Sequence, residues 1–156
     1  NIEVFSKNSI IDPRTVNWSQ YKTQVPYNFR QKPGKNNSLG KIKFLFPNNY
    51  NIYLHDTPSK SLFAETNRSF SHGCIRVENP KNLAEYILRN DKQWNIDHIE
   101  KILKTDIEKR ITVKPTIPVY LLYLTAWVDQ KGNLNFRKDI YHHDKKLALE
   151  IFAKEK

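Results

Sequence analysis

The stretch from Lys41 to His55 constrains the fold most, because two segments of strand character meet there at a turn. Ile42, Phe44 and Phe46 alternate with Lys41, Lys43 and Leu45. This period of two is typical of a β-strand. Pro47-Asn-Asn is turn chemistry, and a second strand is predicted from Tyr50 to His55. The sequence therefore predicts a β-hairpin.

The second predicted strand has two different faces. Successive side chains of a strand point to opposite sides. Asn51, Tyr53 and His55 thus share a polar and aromatic face, and Ile52 and Leu54 lie on an apolar one. This arrangement predicts that His55 stands beside Tyr53.

Helices and further strands follow the hairpin. Asn79 and Pro80 are typical of a helix start, and the buried stripe of that helix is predicted to be Leu83, Ala84, Ile87 and Leu88. A second helix is predicted over about 96–109, with Ile99, Leu103 and Ile107 buried. Strands are predicted at 111–113 and 118–128, then a turn at 129–132 and a short strand at 134–136. The fold class is therefore α+β, a β-rich domain of mixed β-sheets with inserted helices.

The chain is predicted to hold one main domain, residues 31–156, preceded by a flank, residues 1–30. The flank is mixed and polar, and a turn-rich segment from Lys32 to Gly40 separates it from the hairpin. Asn1 is not a Met, so we expect a processed protein or a fragment of a larger one.

Net charge and cysteine content narrow the functional classes. The 26 Lys and Arg residues exceed the 16 Asp and Glu residues, which gives a net charge of +10. Such a surface attracts polyanions, whether nucleic acid, anionic membrane or anionic wall polymer. The charges are scattered and form no stripe interleaved with aromatic residues, so nucleic-acid binding is not expected. The chain has a single cysteine, which excludes an internal disulfide.

The chemistry is concentrated in His55 and in the segment Ser71-His-Gly-Cys-Ile-Arg76, which follows after fifteen intervening residues. A thiol attacks a carbonyl only as the thiolate, and its usual pKa of about 8.5 requires a base or a positive neighbour. His55 and His72 are both candidates for that base. Gly73 permits a backbone turn that a residue with a Cβ resists. Such a turn can direct the N–H groups of Gly73 and Cys74 at a developing oxyanion.

Together these residues resemble the signature of L,D-transpeptidase (YkuD-type) domains, which is a His followed at this spacing by Ser/Thr-His-Gly-Cys, an apolar residue and Asn or Arg. Arg in place of the commoner Asn resembles the large periplasmic branch of Gram-negative bacteria. The resemblance runs from about Lys32 to Asp144. Its segments are Lys43-Phe-Leu-Phe-Pro47, Tyr53-Leu-His-Asp-Thr-Pro-Ser59, Phe70-Ser-His-Gly-Cys-Ile-Arg-Val77 and Leu124-Thr-Ala-Trp-Val-Asp129.

The resemblance implies an enzyme that cross-links peptidoglycan stem peptides. Cys74 is then the nucleophile that attacks the carbonyl of the third residue, meso-diaminopimelate, of a tetrapeptide stem and expels the terminal D-Ala. The side-chain amine of a second stem's diaminopimelate takes the resulting thioester, which gives a 3→3 link. The resemblance implies neither a metal nor an organic cofactor.

The resemblance also assigns supporting roles. His55 is the base, and the backbone carbonyl of Asp56 orients it, whereas the Asp56 side chain is either an aid to catalysis or a turn cap. Tyr53 is a candidate oxyanion donor beside the N–H groups of Gly73 and Cys74, with a packing role as the alternative. His72 is a candidate for holding the loop or polarising the site.

Two further residues are assigned to the substrate. Arg76 lies two residues beyond Cys74, and its guanidinium suits a carboxylate of diaminopimelate or D-Ala. A structural ion pair is the competing interpretation of Arg76. Ser71, from the same motif, is also expected to contact substrate.

By the same resemblance, residues 31–156 are the catalytic domain, and residues 1–30 are the end of a segment that caps the substrate cleft. An upstream module is expected in the full-length protein, and the location is the periplasm. The expected partners are stem peptides as donor and acceptor, other cell-wall synthesis enzymes, and carbapenems as covalent inhibitors.

Two alternatives remain open from the sequence. The same thioester can pass to water, as in a carboxypeptidase, or to a Lys of an envelope lipoprotein. A non-catalytic peptidoglycan-binding module is the alternative from another functional class, although a pure binder has no need of a thiol and a base at this spacing.

Overall fold

A computed structural model describes residues 2–71 and 73–153, and the chain divides into two units, residues 1–117 and 118–156. The strands of the first unit are β1 (Ile2–Ser6), β2 (Ser9–Ile11), β3 (Asn28–Gln31), β4 (Lys43–Phe44), β5 (Leu54–His55) and β6 (Ile75–Arg76). Its helices are α1 (Pro80–Leu88) and α2 (Ile96–Leu103), and short 3-10 turns lie at Pro13–Thr15, Trp18–Gln20 and Lys60–Ala64. The second unit contains β7 (Ala126–Val128), β8 (Leu134–Phe136) and α3 (His143–Phe152).

The residues predicted as a flank form an antiparallel sheet in the order β2-β1-β3. Val4, at the centre of β1, is 3% exposed and pairs with Ile11 on one side and Phe29 on the other. Trp18 covers Phe29, with ring centroids 6.2 Å apart. The boundary at residue 31 and the role of this segment as a substrate cap stay predictions.

The predicted hairpin is present as β4 and β5, which pair antiparallel, and β6 adds to β5 in parallel. Both hairpin strands are shorter than predicted. The Asn48 side chain takes over the bonding at the tip: it accepts from the N–H groups of Tyr50 and Ile52 and donates to the carbonyl of Ile52. Asn51 also adopts a left-handed φ of 53°. A side chain that bonds to nearby backbone replaces the ladder there.

The first helix has the start and the buried face that the sequence predicts. Pro80 is its first residue and Asn79 stands at the N-cap, although the Asn79 side chain makes no capping hydrogen bond. Ala84 and Leu88 are buried on the same side. Helix α2 contacts this helix, and its Glu100 accepts from Lys81 at 2.7 Å.

The second helix ends six residues earlier than the predicted Lys109, at Leu103. The hydroxyl of Thr105 donates to the carbonyl of Ile102 at 2.8 Å and satisfies a carbonyl at the end of the helix. Ile99 is buried as predicted, whereas Ile107 lies beyond the helix and is 75% exposed. The prediction that Ile107 is buried was therefore wrong.

From residue 111 onward the chain has less strand than the sequence predicts. Residues 126–128 and 134–136 form the predicted hairpin, and Asp129 accepts from the N–H groups of Lys131 and Asn133 in the turn. The predicted strands at 111–113 and 118–125 are absent. Within the described chain no strand pairs with either segment, and an apolar run does not form a strand without a partner. Helix α3 has no counterpart among the predicted elements.

Small antiparallel and mixed sheets with helices after them are compatible with the predicted α+β class. Within residues 2–71 and 73–153, no helix has the length and apolarity that a membrane crossing requires.

We predict that Leu88→Ala lowers the free energy of unfolding by about 2–3 kcal/mol, since it removes a buried side chain of α1 from the core. Urea unfolding followed by circular dichroism measures the change. The exposed Asn82 of the same helix supplies the control, because Asn82→Ala changes no buried contact. Equal midpoints for the two variants would contradict the assignment of Leu88 to the core.

Candidate active site

Five side chains lie on one face of the β4-β5-β6 sheet. His55 on the central strand is directly opposite Lys43 of β4 and Arg76 of β6, and side chains of paired residues point to the same side. The β5-β6 ladder continues back to Tyr53, whose carbonyl accepts from Ile75 at 3.0 Å. Tyr53 lies two positions before His55, and Cys74 lies two positions before Arg76, so their side chains point to this side as well.

We call this set the His55 face: Lys43, Tyr53, His55, Cys74 and Arg76. It brings together Cys74, His55, Tyr53 and Arg76 from the sequence analysis, and Lys43 is the added member.

His55 is 5% exposed, and its ring orientation is determined by the next residue. Its Nδ1 lies 2.5 Å from the carbonyl oxygen of Asp56. A carbonyl only accepts hydrogen bonds, so Nδ1 carries the proton and donates it. In the neutral ring Nε2 is then the nitrogen with a free lone pair, which is the form that a general base requires.

The thiol of Cys74 is half-buried and unpaired with any other cysteine. Its Sγ donates to the carbonyl oxygen of Asn51 at 3.9 Å, and the Tyr53 hydroxyl lies close to the thiol. Burial, and then this contact with the thiol, raise the pKa of Tyr53. The phenol therefore stays protonated at neutral pH and keeps a proton to donate. The rings of Tyr53 and His55 meet edge to face at 5.8 Å.

The loop before Cys74 is held by Ser71. The Ser71 hydroxyl donates to the carbonyl of Cys74 at 2.6 Å and accepts from the N–H of Gly73 at 3.2 Å. Gly73 has a φ of 142°, a conformation that side chains rarely adopt. In this loop the Gly73 N–H is thus bonded to Ser71. The predicted role of His72 falls outside the described residues.

Arg76 has an unusual polar environment. Its Nη1 is buried and has no hydrogen-bond partner among residues 2–71 and 73–153. A buried guanidinium nitrogen without an acceptor is costly, and the role of Arg76 in binding a carboxylate stays a prediction. In the part of the chain that the structure describes, Arg76 takes part in no salt bridge.

The Asp56 carboxylate does not contact His55 but bonds to groups around it. One oxygen accepts from the backbone N–H of Lys41 at 2.9 Å, and the other accepts from the Lys60 ammonium at 2.8 Å. Burial acts to raise the pKa of Asp56, yet these hydrogen bonds outweigh it and hold the pKa below its usual value. The structure therefore assigns the His55 contact to the Asp56 carbonyl and an anchoring role to its carboxylate.

Lys60 also connects the chain just after β5 to the chain just after β6. Besides its bond to Asp56, it donates a second bond, 2.7 Å long, to the carbonyl of Glu78, just beyond β6. On the other side, Gly40 leaves no space at Asp56: a Cβ there would overlap the carboxylate. Asp56 is thus confined between a glycine and a lysine.

Four residues of this arrangement were missed from the sequence: Gly40, Lys41, Lys43 and Lys60. The i, i+4 spacing of Asp56 and Lys60 was a usable signal. The alternation in β4 was another, because it placed Lys43 on the polar side of the hairpin. Nothing local indicated that Gly40 touches Asp56.

No group of three or more His, Cys, Asp or Glu side chains is arranged to hold a metal ion within the described ranges.

Comparison with known proteins gives two matches. The model of a family described as the YkuD L,D-transpeptidase catalytic domain matches residues 3–120. A protein of Haemophilus influenzae with the name "Putative L,D-transpeptidase" is 34% identical over 144 residues, which is 92% of this chain and 29% of that protein. The chain thus spans less than a third of the length of this relative.

We predict that Gly40→Ala displaces Asp56 and lowers the free energy of unfolding by about 2–4 kcal/mol, through overlap together with the strain of a φ of 63°. Gly132→Ala is the matched control, since Gly132 has a φ of 83° and no atom within 4 Å of the new Cβ. It should cost only about 1 kcal/mol.

Urea unfolding measures both variants, and the NMR signals of the His55 ring report its position. If Gly40→Ala were as stable as Gly132→Ala and left the His55 signals unchanged, the anchoring role of the Asp56 carboxylate would be contradicted.

Proposed function

The chain belongs to the L,D-transpeptidase catalytic-domain family, and on that premise we propose that it forms 3→3 cross-links between meso-diaminopimelate residues of peptidoglycan. The donor is a tetrapeptide stem that loses D-Ala, and the acceptor is the side-chain amine of a second stem. The observation that carries the proposal is the His55 face, where a thiol, an imidazole, a phenol and a guanidinium point to one side of a three-stranded sheet.

In the first half-reaction, Nε2 of His55 takes the proton of Cys74. The thiolate forms a bond to the diaminopimelate carbonyl carbon, and the π electrons move to the oxygen. When the tetrahedral intermediate collapses, the C–N bond breaks and His55 returns the proton to the departing D-Ala amine. The bond from Nδ1 to the Asp56 carbonyl holds the ring with Nε2 as the reacting nitrogen.

In the second half-reaction, the side-chain amine of the acceptor attacks the thioester. The same nitrogen of His55 removes a proton from the amine, the new amide bond forms, and Cys74 leaves as a thiolate that recovers its proton. The reaction is an acyl transfer without a change of oxidation state, so the chain needs no cofactor for it.

The oxyanion is stabilised in our proposal by the Tyr53 hydroxyl, which lies close to the thiol and keeps its proton at neutral pH. The N–H of Cys74 is the second donor. The N–H of Gly73 joins them only if it leaves Ser71, its partner in the present loop. Ser71 therefore acts first through loop geometry, and contact with substrate is its second proposed role.

Arg76 binds a carboxylate of the donor in this proposal. The unpartnered, buried Nη1 is an argument against the competing ion-pair interpretation, because the described residues supply no acid for it. Guanidinium and carboxylate match in a two-pronged geometry. The carboxylate that fits best is that of D-Ala, close to the bond that Cys74 attacks.

The periplasm is the proposed setting of the reaction. A net charge of +10 suits an anionic envelope, and the relative from a Gram-negative bacterium supports a periplasmic location. Carbapenems and other cell-wall enzymes are the proposed inhibitors and partners. Residues 1–30 are proposed to cap the donor, and His72 to support the loop.

We predict that Cys74→Ala abolishes product formation, and that His55→Ala reduces it at least about a hundredfold through loss of general base catalysis. Incubation with diaminopimelate-containing tetrapeptide muropeptides, followed by mass spectrometry, separates the outcomes. Dimers with a 3→3 link support the proposal. Tripeptide alone indicates that water is the acceptor, and no change in any stem would contradict an enzymatic role.

Carbapenem provides a readout of the thiol that needs no acceptor. The wild type should gain the mass of one opened carbapenem and Cys74→Ala should not. A wild type that gains no mass would contradict the proposed reactivity of Cys74.

We predict that Arg76→Gln raises the KM for the tetrapeptide about tenfold or more, because a charged hydrogen bond to the donor is lost. Arg76→Lys should recover only part of it, since an ammonium lacks the planar fork. Arg89→Gln, on the exposed end of α1, controls for the loss of one charge. A lower unfolding temperature with an unchanged KM would favour a structural role instead.

A further inference from the structure

Lys43 stands on the His55 face, on the side opposite Arg76. It pairs with His55 across the β4-β5 ladder, and its Nζ lies 5.3 Å from the centre of the Tyr53 ring. That ring carries the hydroxyl that lies close to the Cys74 thiol. A cation over an aromatic face at this distance is attracted to it. Lys43 is therefore beside the reacting groups and held there by a contact of its own.

The charges of the His55 face are unbalanced. Lys43 and Arg76 flank His55, and none of the five side chains is a carboxylate. Within the described residues neither Lys43 nor Arg76 is in a salt bridge. The nearest acid in sequence, Asp56, uses both carboxylate oxygens on Lys41 and Lys60.

Neighbouring strands are about 4.8 Å apart, so the backbones of Lys43 and Arg76 are separated by roughly 10 Å, with His55 between them. A substrate held by both cations must carry two carboxylates on either side of the reacting bond. The proposed donor has this pattern. Its D-Ala carries one carboxylate next to the bond that breaks, and its diaminopimelate carries another at the end of a flexible side chain.

We propose that Lys43 binds the side-chain carboxylate of diaminopimelate in the donor, while Arg76 binds the carboxylate of D-Ala. This inference rests on the proposed function and adds a specificity-determining residue to it. The chemistry of the two side chains decides which carboxylate each one binds. An ammonium on a four-carbon stem follows a mobile carboxylate, and a planar fork suits one that is fixed close to the reaction. The site then selects donors with both carboxylates.

The test measures binding without turnover, in the Cys74→Ala background. Calorimetry gives the Kd of three tetrapeptides: the native donor, one with the diaminopimelate side-chain carboxylate as a carboxamide, and one with the D-Ala carboxylate as a carboxamide. With Lys43 present, each carboxamide should bind about tenfold more weakly than the native donor.

Replacement of Lys43 should abolish only the preference for the native donor over the side-chain carboxamide. Lys43→Met should bind the native donor and the side-chain carboxamide equally, and should still discriminate against the D-Ala carboxamide. Lys43→Arg, which keeps the charge, should retain most of the discrimination. Lys92→Met, in the exposed turn after α1, removes the same charge elsewhere and should leave all three constants unchanged.

Three results would overturn the inference: equal weakening of all three donors by Lys43→Met, no effect of Lys43→Met, or loss of discrimination against the D-Ala carboxamide instead. Lys43→Gln repeats the test if Lys43→Met does not fold, as judged by circular dichroism. The reaction itself is tested separately with the wild type. Selective binding without any acyl transfer would refute the proposed function and leave the carboxylate site of Lys43 standing.

Discussion

The arrangement of this site depends on the register between β5 and β6. His55 and Cys74 come from segments separated by a long crossover, and they share a face only because His55 pairs with Arg76 and Tyr53 bonds to Ile75. Each strand contributes only two residues to the regular ladder. A one-residue slip would turn the thiol and the guanidinium to the other side. So short a ladder needs support from outside, and the Asp56-Lys60-Glu78 connection supplies it.

Asp56 shows how one residue can serve a site in two ways. Its carbonyl selects the tautomer of His55, and its carboxylate secures the backbone from which that carbonyl projects. The carboxylate is charged at neutral pH because its hydrogen bonds hold the pKa low. The sequence left two roles open for this side chain, catalytic aid or turn cap. The geometry favours a structural one, because the contact with the imidazole is made by the main chain.

The His55 face also combines two kinds of polar group. Tyr53 lies close to the thiol, the His55 ring lies against Tyr53, and both are suited to proton transfer and to the stabilisation of an oxyanion. Lys43 and Arg76 lie on either side and are suited to holding anions. A cationic border attracts an acidic substrate. The proposed donor brings the carboxylates that the border lacks.

The sequence by itself determined the local features: the hairpin, the start and buried stripe of α1, and the turn at 129–132. Each depends on neighbouring residues, through side-chain alternation, capping chemistry or turn chemistry. A short motif proposed Cys74, His55, Tyr53 and Arg76 as the site, and the β5-β6 register decided that they share one face. Only the tertiary structure decided that Lys43 faces His55, that Gly40 presses on Asp56, that α2 stops at Leu103 and that 118–125 forms no strand. These features depend on pairing partners and on side-chain bonds between distant segments. Local pattern does not determine which segments meet, because strand pairing and close packing are settled by the whole chain.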